Sequence, residues 1–533
     1  INFLPRLIFN DMMIPFLPLI GLCLFLIAGT IGLSAQTTLK VDRPSGIYEV
    51  GETVQFNIQT TSSNLATYTL FSDRFASVLA SGKVQLSPGA SLPIVYRAEE
   101  PGNVLCRLVK GNEEMIAGAL ISPLEIQAFE EEPSDLMDFW NAQLTELAAV
   151  PIDPALQFIE ESQYTTTHTV SLAMVDNRKV YGYVSVPKGN GPYPAILTLP
   201  AFGDNANQVS PDITTAERGG AIALTISIHN RPIDEEDPNA YQPNVINNPD
   251  SLYYKWSVLA AVRAIDYLYT RPDFDGVSIG VNGVSQGGGL AAIVAGLDQR
   301  VKLLVYSNPA LALHHGKRHD QASGFPYYLR ASDDNFGSPQ HAEATNAAVK
   351  YIDAVYFAQR FTGPSLGITS YLDSICPVRT VMTLYNQLAG PKTLGLFREN
   401  GHNHPEEYWA GRYDFYRQHF PAMQNPPWPW PDTDTGYLAF AGNDQTVQVG
   451  AVVGLNGSIQ KNGVLNQSWT VQWELEEGPA PIQLMNAQSR NTTVLFSTPG
   501  HYRIRFSAFD DDDLNADEPH RFVITDEVNI TVQ

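Results

Sequence analysis

Three side chains in one order along this chain define a possible chemistry: Ser285, then Asp373, then His402. A serine hydroxyl is a poor nucleophile until a base takes its proton, and an imidazole oriented by a carboxylate is such a base. The chemistry is attack on an acyl carbonyl. The serine lies in Asn282-Gly283-Val284-Ser285-Gln286-Gly287-Gly288-Gly289, with glycine two positions before it and two after. That is the G-x-S-x-G spacing of a nucleophile elbow, where a strand turns sharply into a helix and larger neighbours would clash with the adjoining elements. Residues 278–281 supply the strand and residues 290–297 an apolar helical start. Such a turn lifts Ser285 Oγ above a sheet and sets it beside a helix N-terminus, whose partial positive charge favours a developing anion. Other glycine loops fit less well. A dinucleotide fingerprint needs its first two glycines two apart, and a phosphate loop needs Gly-Lys-Ser/Thr.

The partners must stand at the carboxyl ends of later strands. Residues 366–370 read as a strand with Asp373 just beyond its end, and residues 393–397 read as another, followed by Gly401-His402-Asn403-His404. His402 and His404 compete for the base. The reading takes His402, which directly follows glycine in the turn, while His404 precedes Pro405 at the expected start of a helix. Asp373 also has the position of a helix cap for the segment starting near Pro377, a role compatible with the first. His314 and His315 lie in a stretch read as a polar cap or loop. A metal pair there lacks a carboxylate at ligand spacing.

These residues need a framework, and from about residue 165 the pattern runs strand, helix, strand, helix. Residues 195–199 and 221–228 are short runs rich in branched residues, as strands buried on both faces require. Val258, Val262, Ile265 and Tyr269 form a helical stripe, as do Leu136, Phe139, Trp140, Leu144 and Leu147. Alternation of this kind implies a mainly parallel sheet covered by helices. The flanks differ. Residues 41–128 and 437–533 alternate apolar and polar residues at the period of half-buried strands, as in Val54-Gln55-Phe56-Asn57-Ile58 and in Tyr502, Ile504, Phe506 and Ala508. The expected organisation is a leader over 1–35, a small β-sandwich over 36–129, an α/β domain over 130–425, a Pro/Trp linker over 426–436 and a second β-sandwich over 437–533. In the linker, Trp428 and Trp430 could stack on sugar rings, but packing against a domain surface is the plainer role. Asp510, Asp511, Asp512 and Asp513 read as a solvated acidic loop, with calcium as the alternative.

At 533 residues the chain exceeds one ordinary core, and 44% hydrophobic with 10% aromatic residues is a globular composition. Thirty-three basic against 56 acidic side chains give a net charge of -23, which repels phosphate backbones and excludes nucleic acid as the expected partner. The chain opens with Ile, so translation is expected from Met12 or Met13. Residues 14–31 are nearly all apolar and Leu33-Ser34-Ala35 suits cleavage, so a secretory signal is expected. The run exceeds the usual signal core and Arg6 is the only early positive charge, which leaves an uncleaved membrane anchor as the alternative. Beyond that segment only Cys106 and Cys376 remain, too few for a disulfide framework, and export without disulfides suits a secreted or cell-envelope protein of a bacterium.

With these residues assembled, the middle of the chain, about residues 133–420, resembles the acetyl xylan esterase and cephalosporin-C deacetylase family of α/β hydrolases. The resemblance rests on Tyr253-Tyr254, Ala261-Val262-Arg263-Ala264, Arg271-Pro272, the elbow, Asp298-Gln299-Arg300-Val301-Lys302, Asp373-Ser374-Ile375-Cys376-Pro377 and Tyr385-Asn386. Residues 441–447 and the Pro499-Gly500-His501-Tyr502 turn resemble a PKD-type, immunoglobulin-like repeat. The resemblance implies an α/β-hydrolase domain flanked by two small immunoglobulin-like sandwiches. It also implies removal of acetyl groups from sugars through an acyl-enzyme, with Ser285 as nucleophile, His402 as proton shuttle and Asp373 orienting the imidazolium. Backbone N–H groups of Gln286 and Phe202 would hold the oxyanion, Phe202 by alignment of Pro200-Ala201-Phe202-Gly203 with the family's His-Gly-Tyr turn. No cofactor or metal is implied, and the partner is an acetylated oligo- or polysaccharide. Two departures stand out: His229-Asn230-Arg231-Pro232 where the family has Arg-Gly-Gln, and His402-Asn403 where it has His-Glu. The first bears on the acyl pocket, so the resemblance implies hydrolase chemistry more firmly than acetyl specificity. The alternatives are a broader carboxylesterase or oligopeptidase of the same fold, and a non-catalytic surface protein whose flanking domains bind carbohydrate or cell wall. Family members are often hexamers, an assembly that the added β-domains would obstruct.

Overall fold

The computed structural model describes residues 37–533, apart from 44, 74–76, 90, 190, 204–208, 236–247, 329–338, 405, 424–436, 443, 462–463, 466–469 and 510–521. The expected leader, the Pro/Trp linker and the acidic run 510–513 lie outside the described residues. Among the described residues no helix is long and apolar enough to cross a membrane.

The sheet that carries the site runs, in spatial order, through Ala155–Glu161, Thr165–Ala173, Lys179–Pro187, Ile222–Ile226, Tyr193–Leu199, Phe274–Val284, Val301–Ser307, Ser365–Ser370 and Lys392–Phe397. The first three strands are antiparallel, and every pairing from Ile222–Ile226 to Lys392–Phe397 is parallel. Alternate residues of the central strands face opposite cores. Leu197 and Leu304 point to the layer holding helices Leu136–Ala148, Tyr253–Thr270 and Gln286–Leu297. Ile196, Leu303 and Val305 point to a second layer with Tyr413 and Tyr416 of helix Glu406–His419. Burial on both faces is why these strands read as unbroken apolar runs.

The N-terminal region forms a three-stranded and a five-stranded sheet around Val54, Phe56, Ile58, Leu70, Cys106 and Leu108. It is fastened to the α/β layer by buried polar contacts. Arg379 Nε lies 2.5 Å from Asp73 Oδ2, and Arg379 Nη2 donates to the Pro101 carbonyl at 2.7 Å. Tyr371 OH donates to Ser45 O at 2.8 Å, two residues before Asp373.

The C-terminal region is joined more closely than a linker suggests. Strand Phe522–Val532 pairs antiparallel with Lys392–Phe397, so the central sheet continues without a break into Gly500–Phe509 and Thr470–Glu477. Val453, Leu455, Trp473, Ile504 and Phe506 share one apolar cluster with Ile368, Phe397 and Tyr413. On the alternate face of Gly500–Phe509, Arg505 is buried beside Glu476 at 3.0 Å. An open edge strand is a hazard that this pairing removes. A polar cleft of about 960 Å3 separates the two β-regions, lined by residues such as Arg43, Glu49, Glu474 and Arg490, and holds none of the acyl-transfer candidates.

The Asp73–Arg379 pair yields a test of this docking. Asp73→Ala leaves a buried guanidinium without its counter-charge, so stability is expected to fall by about 3–5 kcal/mol in thermal or urea melts. Replacing both partners by apolar residues, Asp73→Leu with Arg379→Met, is expected to recover most of that loss.

Candidate active site

Strand Phe274–Val284 ends directly in Ser285, and helix Gln286–Leu297 starts at the next residue. Ser285 has φ 52° and ψ -119°, a conformation that a residue with a side chain rarely adopts. The surroundings impose it. Ser285 N–H donates to Ser307 O at 2.9 Å, and its carbonyl accepts from Ala310 N–H at 2.8 Å and Gly289 N–H at 3.2 Å. The glycines two positions either side are steric necessities. A Cβ at Gly283 would lie 2.2 Å from the Gly287 carbonyl carbon, and one at Gly287 would lie 2.2 Å from the Leu199 carbonyl oxygen.

The two later strands deliver the other residues. Asp373 follows Ser365–Ser370, and His402 follows Lys392–Phe397 in a loop tied to the acid loop by Leu372 N–H donating to Asn400 O at 3.2 Å. His402 Nε2 lies 3.0 Å from Ser285 Oγ, and its Nδ1 lies 2.7 Å from Asp373 Oδ2. A carboxylate only accepts, so Nδ1 carries a proton and Nε2 presents its lone pair to the serine hydroxyl. Asp373 is buried, and its second oxygen accepts from Ile375 N–H and Cys376 N–H at 2.8 Å each. Its turn lies ahead of helix Val378–Gln387, whose cap position is Pro377, so Asp373 does not cap that helix.

His404 stands apart from the relay. Its Nδ1 meets Ser307 Oγ at 2.8 Å, and burial, aided by the neighbouring His402, pushes its pKa down to about 4. Asn308 Nδ2 donates to Asn403 O at 3.0 Å and fastens the loop between the two histidines. His314 and His315 are not in a polar surface stretch. Both are buried, His315 Nε2 meets Asn346 O at 3.1 Å, and Asp353 accepts from the backbone N–H of Leu313 and of His314. The chain around them folds under the sheet end because Ala310, Leu311, Ala312 and Leu313 are core residues. Among the described residues, no three His, Cys, Asp or Glu side chains are grouped to hold a metal.

The Pro200-Ala201-Phe202-Gly203 turn follows strand Tyr193–Leu199, next to the elbow strand. Phe202 is 47% exposed and meets Phe325 edge to face at 5.0 Å. Sequence reasoning used Gln286 only for its backbone. Its buried side chain accepts from Tyr254 OH at 2.9 Å and donates from Nε2 to Pro200 O at 3.2 Å and Ala201 O at 3.3 Å. His229, one of the two departures, bridges Tyr253 OH (2.6 Å, Nδ1) and Gly203 O (3.0 Å, Nε2). The Tyr253-Tyr254 pair was the available signal for both contacts, and spacing alone gave it no role.

The sheet, the elbow and the strand-end positions define an α/β-hydrolase fold. Residues 124–420, more than half of the chain, match the family model described as acetyl xylan esterase (AXE1), and residues 441–532 match the model of a PKD domain. The chain belongs to the acetyl xylan esterase family. It is 31% identical over 330 residues to the acetyl esterase Axe7A of Xylanibacter ruminicola, across 59% of this chain and 73% of that protein. Among solved structures it is similar to an acetyl xylan esterase from Paenibacillus sp. R4 (24% identity, 56% of this chain and 98% of that one, TM-score 0.49). It is also similar to acetyl xylan esterase 1 from Thermoanaerobacterium sp. JW/SL YS485 (21% identity, 57% and 97%, TM-score 0.48).

A histidine held neutral in the fold binds its proton more readily once unfolded. For His404 the unfolded chain binds more protons between pH 6.5 and about 4, so stability is full above that window and declines as pH falls through it. Melting temperature measured against pH is expected to show this decline, and His404→Gln is expected to flatten it.

Proposed function

We propose that this protein is a secreted serine esterase that removes acetyl groups from carbohydrate through an acyl-enzyme. The observation that carries the reading is the continuous chain from Ser285 Oγ through His402 to Asp373, at 3.0 and 2.7 Å. Ser285 Oγ attacks the acetyl carbonyl carbon as His402 Nε2 takes its proton. Asp373 keeps the imidazole in the required tautomer and stabilises the imidazolium. The carbonyl electrons move to oxygen, where the N–H groups of Gln286 and Phe202 receive the charge. One such donor contributes about 3 kcal/mol in the transition state. The C–O bond to the sugar then breaks as His402 returns the proton to the leaving hydroxyl. Water, deprotonated by the same imidazole, attacks the acetyl-serine; the bond from the acyl carbon to Ser285 Oγ breaks, His402 returns the proton to Oγ, and acetate leaves.

Family membership supports acetyl transfer, and the acidic net charge suits an uncharged saccharide partner. Export is supported by the apolar run over residues 14–31. The broader carboxylesterase reading is favoured by one observation, His229 in place of the family's arginine, because it stands against the turn beside the nucleophile.

Ser285→Ala and His402→Ala are each expected to lower kcat on an acetylated oligosaccharide by about 10^4-fold or more, and Asp373→Asn by about 10^4-fold. A serine-directed phosphonate is expected to label Ser285, as read by peptide mapping. Label on another serine overturns the site. Equal rates on acetyl and long-chain acyl esters overturn the acetyl specificity.

A further inference from the structure

The turn thought to supply the second oxyanion donor is held by side chains outside the Ser285–His402–Asp373 relay. We propose that Gln286, fixed in turn by Tyr254, is a positioning residue that aims the Phe202 N–H at the developing oxyanion. The inference rests on the esterase reading above.

A peptide unit is planar and trans, so the carbonyl of Ala201 and the N–H of Phe202 point in opposite directions across one plane. Fixing one fixes the other. Gln286 Nε2 donates to Ala201 O and to Pro200 O, and so holds that plane from the carbonyl side. The sense of the Gln286 amide matters, because its oxygen in that place would repel both carbonyls. Tyr254 OH donates to Oε1 at 2.9 Å and keeps the nitrogen facing the turn. Both side chains are almost fully buried, Gln286 at 0% and Tyr254 at 2% exposure, so water competes little for these bonds.

The next carbonyl is held from the other side. Gly203 O only accepts, so His229 Nε2 carries the proton, and its Nδ1 lies 2.6 Å from Tyr253 OH, whose proton is shared with Ile228 O at 3.2 Å. The turn therefore has three of its carbonyls fastened, at Pro200, Ala201 and Gly203. Gln286 has a double part. Its own N–H is the first of helix Gln286–Leu297, where N–H groups lack intrahelical acceptors. One residue thus supplies one donor from its backbone and orients the second with its side chain.

Gln286→Met keeps the length and the backbone N–H but removes the amide. Tyr254→Phe removes only the hydroxyl. On an acetylated oligosaccharide, Gln286→Met is expected to lower kcat by about 100-fold and Tyr254→Phe by about 10-fold, with KM changed by no more than about twofold. The decisive readout compares an ester with its thionoester, whose sulfur accepts hydrogen bonds poorly. Wild type is expected to favour the oxygen ester strongly, and both variants are expected to reduce that ratio in step with their loss of kcat. A folding defect would lower the active fraction, titrated with the phosphonate, and leave the ratio unchanged. Variants that keep kcat within about twofold of wild type, or lose it at an unchanged ratio, overturn the proposal. Should Gln286→Met not fold, the Tyr254→Phe ratio decides alone. If instead Ser285→Ala retains activity, the esterase reading itself fails, a result that the Gln286 variants do not mimic.

Discussion

Gly287 has no room for a side chain, since its α-carbon packs against the carbonyl of Leu199 where one strand meets the next. Much of the site follows from this contact and its counterpart at Gly283. The helix can start directly under the sheet end only if its first turn slides past both neighbours, and only glycine allows that approach. Ser285 is then left at positive φ at the tip of the turn. Its strained backbone is held by hydrogen bonds to Ser307 and Ala310, on the next strand and the loop beyond it.

The same close approach explains how so few groups define the geometry. The Leu199 strand end, pressed against the elbow helix, leads directly into the turn that the Gln286 side chain holds. On the other side, parallel strands ending at Ser370 and Phe397 place the acid and base loops side by side. A backbone hydrogen bond from Leu372 to Asn400 then sets their spacing. The distances of 2.7 and 3.0 Å around His402 go with this strand register and with that loop-to-loop bond.

The flanking regions read differently once their contacts are known. The N-terminal sandwich packs its Asp73 and Ser45 against Arg379 and Tyr371, which flank the acid loop in sequence. The C-terminal region extends the catalytic sheet past the strand that ends before His402. Both lie against the acid and base side of the site, opposite the turn that carries Phe202. Modules tethered by a linker would make few such contacts; here the N-terminal region shares the buried Asp73–Arg379 pair with the hydrolase, and the C-terminal region shares an apolar core with it.

Local pattern alone settled much of this protein. The elbow needs glycine at fixed offsets from serine, and that requirement is written in eight consecutive residues. The chain order of Ser285, Asp373 and His402, each after a branched apolar run, followed from the same logic, as did the alternation of Val54, Phe56 and Ile58 in the N-terminal core. Tertiary structure decided what pairs residues distant in sequence. It separated His402 from His404, two residues apart, by turning the first to Ser285 and the second to Ser307. It placed His314 and His315 in the core because apolar neighbours drew them in, where their own polarity suggested a surface loop. It gave Gln286 and Tyr254 partners 86 and 32 residues away. It also joined strand Phe522–Val532 to Lys392–Phe397, since the edge hydrogen bonds of a strand carry no side-chain signature of their partner.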